Sequence, residues 1–129
     1  MGVNKINDKG NEYKISSVVT DYEISDLPNH SGGTNSYMLK KSDNIITLNV
    51  DNIWVNSITG GEWTKLGIIP EEIRPEVAIQ VAAVASRGDT GAVITYGKLG
   101  ITADGIIQCK MNSGYNTLTA ISFSIVWIV

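Results

Sequence analysis

The chain has one cysteine, one histidine, three prolines and one phenylalanine, and each scarcity removes a class of protein. A single thiol, Cys109, cannot form an intrachain disulfide, so stability has to come from packing or assembly. Its place in an alternating run reads as a small buried hydrophobe, with a reactive thiol as the other reading. One cysteine and one histidine far apart do not make a zinc site. The histidine, His30, sits in a polar turn, and no Gly-x-Ser-x-Gly elbow surrounds any serine, so a nucleophile with a base in reach is not expected. The glycine pairs Gly88-x-x-Gly91 and Gly97-x-x-Gly100 fit neither phosphate-binding pattern and read as turns. No cofactor and no metal are expected.

Long apolar runs are also missing. No stretch approaches the roughly 18 residues needed to cross a bilayer, so membrane insertion is not expected. The first residues, with Asn4, Lys5, Asn7, Asp8 and Lys9, hold no apolar run, which predicts no secretory signal. Met1-Gly2 opens like a myristoylation site, but Ile6 stands where a hydroxyl residue is required. Without export, the sequon Asn29-His30-Ser31 reads as incidental. The net charge of −3 is scattered, with no basic stripe, and this argues against a nucleic-acid partner.

What remains is a 129-residue chain, 43% hydrophobic and 18% charged, enough for one packed domain. Residues 1–34 are punctuated by polar residues, Gly10, Pro28 and Gly32-Gly33; only 13–20 can hold a strand. This part reads as a connector or arm, and residues 35–129 as the head domain. From Asn35 the apolar period becomes two, the signature of half-buried strands. Strands are expected at 36–41, 45–50, 53–59, 62–68, 77–86, 92–96, 99–102, 106–111 and 118–129. The alanines of 70–86 favour a helix, but Pro75 breaks it. Val77, Ile79, Val81, Ala83 and Ala85 alternate strictly, which favours a strand.

Two turns can be argued in detail. Gly60-Gly61 suits a two-residue hairpin that sets Ile58 opposite Trp63. At Asp104-Gly105 a three-residue loop with Gly105 left-handed sets Ile101 against Ile107 and Leu99 against Cys109, apolar on apolar. Trp54, Trp63 and Trp127 fall in alternating strands and are expected in the core. The last strand puts Ile121, Phe123, Ile125, Trp127 and Val129 on one face and adds Val126 and Ile128 to the other. A lone domain needs one such face, so the second implies cover by another subunit.

The run Gly67-Ile68-Ile69-Pro70-Glu71-Glu72-Ile73-Arg74-Pro75 resembles the Gly-x-Leu-Pro-x-x-Tyr-Arg-Pro pattern of siphophage tail-fibre and baseplate proteins. The order around it is similar too: a Tyr37 to Lys41 strand, the 45–50 strand, a glycine hairpin, an alternating strand, an Asp-Gly turn and a closing Ser122-Phe123-Ser124 strand. Ile69 and Ile73 depart from the pattern, both as apolar replacements. The resemblance covers residues 35–129. It implies a C-terminal receptor-binding head: an all-β, antiparallel β-sandwich of jelly-roll type, trimeric, carried on an upstream stem in the virion and attached to a host cell surface. Within the motif, Pro70 and Pro75 fix a crossing between strands, and Arg74 has either backbone carbonyls or Glu71 as its partner.

Candidate ligand residues come from loop composition, an aromatic ring with amides and charges on rigid strand ends. Arg87 and Asp89 in one loop, Tyr115 and Asn116 in another, and Tyr96 before a further turn fit that description for a surface saccharide. For Tyr115, sugar stacking and ordinary loop packing both remain open. Two other functions stay open: a purely structural trimerisation or capping module, and a hydrolase with carboxylates from different strands or chains.

Overall fold

The computed structural model describes residues 18–129 with their side chains, and before them the backbone of strands β1 (Gly2–Ile6) and β2 (Glu12–Ser16), paired antiparallel as a two-stranded sheet. Gly10 and Ser17 lie outside the described residues. Then come β3 (Val19–Tyr22), β4 (Ser36–Ser42), β5 (Ile45–Val55), β6 (Trp63–Ile68), β7 (Ile79–Arg87), β8 (Val93–Ile101), β9 (Ile106–Met111) and β10 (Thr119–Ile128). These make one antiparallel eight-stranded sheet in the order β3-β4-β5-β10-β7-β8-β9-β6. The all-β antiparallel expectation holds, and the 70–86 segment holds a single 3₁₀ turn, Glu71–Ile73, and then strand β7, which begins at Ile79 and leaves Val77 exposed outside it.

β10 pairs with β5 along its whole length but with β7 only from Thr119 to Ser122. Beyond Ser122 the two neighbours diverge, which splits the sheet into a β3-β4-β5-β10 layer and a β7-β8-β9-β6 layer. The far ends of the two layers meet again: Ser25, just after β3, and Ile68 of β6 exchange backbone hydrogen bonds of 2.9 Å each. The period-two residues from both layers fill the space between, with Leu48, Ile53, Leu66, Leu99, Ile107 and Ile121 fully buried.

Several expectations are corrected. The boundary at 34/35 falls inside the folded unit, because β3 pairs with β4 and Ile24 is buried in the core. The segment expected as one strand over 13–20 is instead β2 and β3, which belong to different sheets. Strands 45–50 and 53–59 join as β5 through a bulge: Ile121 faces Ile53 and Phe123 faces Val50, so Ser122 alone opposes Asp51 and Asn52. The extra residue resets the alternation and keeps Val50 and Ile53 both inward. The Gly60-Gly61 hairpin does not form. Ile58 bridges Tyr115 and β6 pairs with β9, and Gly60 lies so close to the 113–114 backbone that a Cβ there would be 2.8 Å from the Gly114 nitrogen.

β8 also runs unbroken through Gly97 and Gly100, read from sequence as a turn. A Cβ at Gly97 would lie 2.3 Å from the Lys110 carbonyl oxygen, so glycine is what lets β9 approach there. The Asp104-Gly105 turn is as expected: Gly105 has φ +84°, its N–H donates to Thr102, and Ile101 faces Ile107 with Leu99 facing Cys109. Of the tryptophans, Trp127 is buried and Trp54 is half-buried. Trp63 is 40% exposed, because Leu66 turns inward on β6 and places Trp63 on the opposite face. Arg74 takes the carbonyl role, donating from Nε to Ile69 O at 3.2 Å, and its side chain lies against Gly105.

Candidate functional site

Arg87 is the last residue of β7, and the chain turns back at once: Arg87 N–H donates to Ala92 O at 2.8 Å and Gly91 N–H to Arg87 O at 3.0 Å. The turn brings the Asp89 carboxylate onto the Arg87 guanidinium in a two-pronged contact, Nε to Oδ1 at 3.0 Å and a terminal nitrogen to Oδ2 at 2.8 Å. The hydrogen bond to Arg87 is the main cause that holds the Asp89 carboxyl below its ordinary range, and the same bond raises the Arg87 guanidinium further. Both side chains stand in solvent, so the pair fixes geometry more than it stabilises the fold.

The second wall comes from the segment between β9 and β10. Tyr115 is anchored by reciprocal 2.8 Å hydrogen bonds with Ile58, and Thr119 Oγ1 donates to Thr117 O at 2.8 Å. The two loops are joined directly, since Gly88 N–H donates to Leu118 O at 3.1 Å. Between them lies a cleft of about 400 Å³ lined by Arg87, Gly88, Asp89, Tyr115, Thr117 and Leu118. It offers a cation, a carboxylate, a half-buried phenol and an apolar patch, a set suited to a polar ligand with an apolar face.

Trp54 supports this arrangement from beneath. Its Nε1 donates to Thr34 O at 3.0 Å, and its ring fills the space over Gly33 and Gly88. A Cβ at Gly33 would fall 2.4 Å from the ring, and one at Gly88 3.0 Å from it. The indole thereby fixes the 31–34 segment and the Arg87 loop to one platform.

Of the residues chosen from sequence, Arg87, Asp89 and Tyr115 come together here. Asn116 is exposed in the same loop but does not line the cleft, and Tyr96 stands on β8 opposite Val84, away from it. Thr117 and Leu118 carry no signal in the sequence, and Trp54, expected in the core, supports the cleft instead. The glycine pairs at Gly32-Gly33 and Gly88 were the available signal for a large ring packed beneath them. Among the described residues, no three His, Cys, Asp or Glu side chains gather as a metal would require.

The curled eight-stranded sheet is similar in fold to a phage receptor-binding head domain. One solved structure it matches is the crystal structure of the head domain of the lactococcal phage bIL170, with a TM-score of 0.65 and 15% identity over 88% of this chain and 99% of that one. No protein-family model and no curated protein matches the sequence.

Proposed function

We propose that the chain is the C-terminal head of a siphophage tail-fibre or baseplate protein, of phage or prophage origin, that attaches the virion to a host cell-surface saccharide without cutting it. The observation that carries this reading is the cleft of Arg87, Asp89 and Tyr115 on a fold shared with a phage receptor-binding head. Loops held by rigid strands present an ion pair and an aromatic ring to solvent, as recognition of a hydroxyl-rich ligand requires. The head is carried on an upstream stem and is made in the bacterial cytoplasm. Among the described residues no helix is long and apolar enough to cross a membrane.

Self-assembly as a homotrimer belongs to the same reading. Val126 is 60% exposed, Ile128 73% and Ile45, directly opposite Ile128, 48%, an apolar patch that needs cover. The test is to titrate the intact protein with fractionated cell-wall polysaccharide from candidate hosts and to follow polysaccharide length by gel filtration. Binding with unchanged length, lost in Arg87→Ala and Tyr115→Ala, is expected. Binding untouched by both substitutions sinks the cleft, and shortened polysaccharide replaces attachment with hydrolysis.

A further inference from the structure

Tyr96 and Trp63, which the cleft does not use, share the outer face of the β7-β8-β9-β6 layer with two lysines. Lys98 of β8 lies directly opposite Lys110 of β9, and Lys110 directly opposite Trp63 of β6. Tyr96 is two residues from Lys98 on the same face and is 61% exposed. The Lys110 ammonium stands 5.7 Å from the centre of the Trp63 ring. At Gly100, the next outward position on β8, a Cβ would sit 3.6 Å from that ring, so the indole leans over bare backbone while the residue stays 40% exposed.

Ion pairing does not account for this arrangement. Like charges directly opposite in an antiparallel pair repel, and the natural remedy is a nearby carboxylate. The ion pairs among the described residues are Lys40 with Asp21, Lys65 with Asp26 and Arg87 with Asp89, so Lys98 and Lys110 are in none of them. The chain as a whole is acidic, at −3. Two cations without a carboxylate partner among the described residues, flanked by exposed aromatic rings on one sheet face, are therefore complementary to an anion that carries an apolar face.

We propose that this face is a second binding site, separate from the Arg87 cleft, for an anionic polysaccharide. Sugar rings stack on Trp63 and Tyr96, and the acidic substituents lie between Lys98 and Lys110. Trp63 and Lys98 are two strand spacings apart, roughly 10 Å. A polymer spans that distance, whereas one small anion meets only part of the site.

The probe is dextran sulfate, compared with unsubstituted dextran of the same length, titrated into the intact chain by calorimetry and tryptophan fluorescence. Dextran sulfate is expected to bind at low salt and to weaken about tenfold or more at roughly 0.5 M salt, where exposed charges are screened. Lys98→Gln with Lys110→Gln should lower affinity about tenfold, Trp63→Leu should also weaken it, and Lys98→Arg with Lys110→Arg should retain it. Arg87→Gln should leave it unchanged, which separates this site from the cleft. Equal binding of unsubstituted dextran, or affinity untouched by the double glutamine variant, overturns the proposal. An oligonucleotide that binds as tightly as dextran sulfate overturns the saccharide assignment.

Discussion

The indole Nε1 of Trp127 donates a buried 2.7 Å hydrogen bond to the carbonyl oxygen of Ile73. Trp127 belongs to the last strand and Ile73 to the 3₁₀ turn between the two prolines, so one contact ties the end of the chain to the crossing between β6 and β7. The turn is fixed on its other side too, where Arg74 donates to Ile69 O and Ile69 N–H donates to Gly105 O at 2.9 Å.

Trp127→Phe keeps most of the packing and leaves the Ile73 carbonyl without its donor. An orphaned buried acceptor costs about 1–3 kcal/mol, and that loss is the expected result of chemical denaturation. An unchanged midpoint would show that water reaches the carbonyl.

Gly33→Ala and Gly61→Ala form a matched pair. Both glycines have left-handed backbone, φ +81° and +76°, but only at Gly33 does an added Cβ run into Trp54. Gly61→Ala should cost only the left-handed penalty of about 1–2 kcal/mol. Gly33→Ala should cost more, and should weaken polysaccharide binding by displacing the cleft's support. Thermal melts and titrations of both variants check this.

The Arg87–Asp89 pair predicts a pH dependence. Asp89 is held below its ordinary carboxylate range, so its folded form is favoured above the unfolded value of about 3.9 and loses that preference as pH falls through the lowered one. Ligand affinity should therefore be flat from neutral pH to about pH 5 and decline only in stronger acid. A carboxyl-carbon NMR titration of Asp89, compared with Arg87→Ala, measures it; the substitution should return the titration to the ordinary range.

Cys109 is buried, and burial pushes its thiol up to about 12. A free thiol ionises near 8.5, so the contribution of the neutral form is complete below that pH and is lost as pH rises toward 12. In native protein at pH 8 a thiol reagent should react only at the rate of unfolding, and at once in denaturant. Fast native labelling would contradict the burial.

Val126→Lys with Ile128→Lys places charge on the exposed apolar patch without touching the inward face of β10. The proposed homotrimer should fall to protomer mass by light scattering with the fold retained. A wild-type chain that is already monomeric at micromolar concentration removes the assembly from the reading.

Sequence alone determined the features that depend on neighbours along the chain. Period-two alternation marked the strands, Pro75 excluded the helix, and the apolar match across Asp104-Gly105 specified that hairpin's register. Alternation says which side of a strand is apolar but not which strand will lie beside it. Pairing β6 with β9, Ile58 with Tyr115 and Ser25 with Ile68 requires closing long loops, and those closures are rewarded only when the whole core forms. The same limit applied to the cleft. Loop composition pointed to Arg87, Asp89 and Tyr115, but their meeting rests on a Gly88–Leu118 hydrogen bond and on Trp54 beneath two glycines. Only the folded sheet brings the Arg87–Asp89 turn, the Tyr115–Leu118 segment and Trp54 together, because these three pieces lie far apart in sequence.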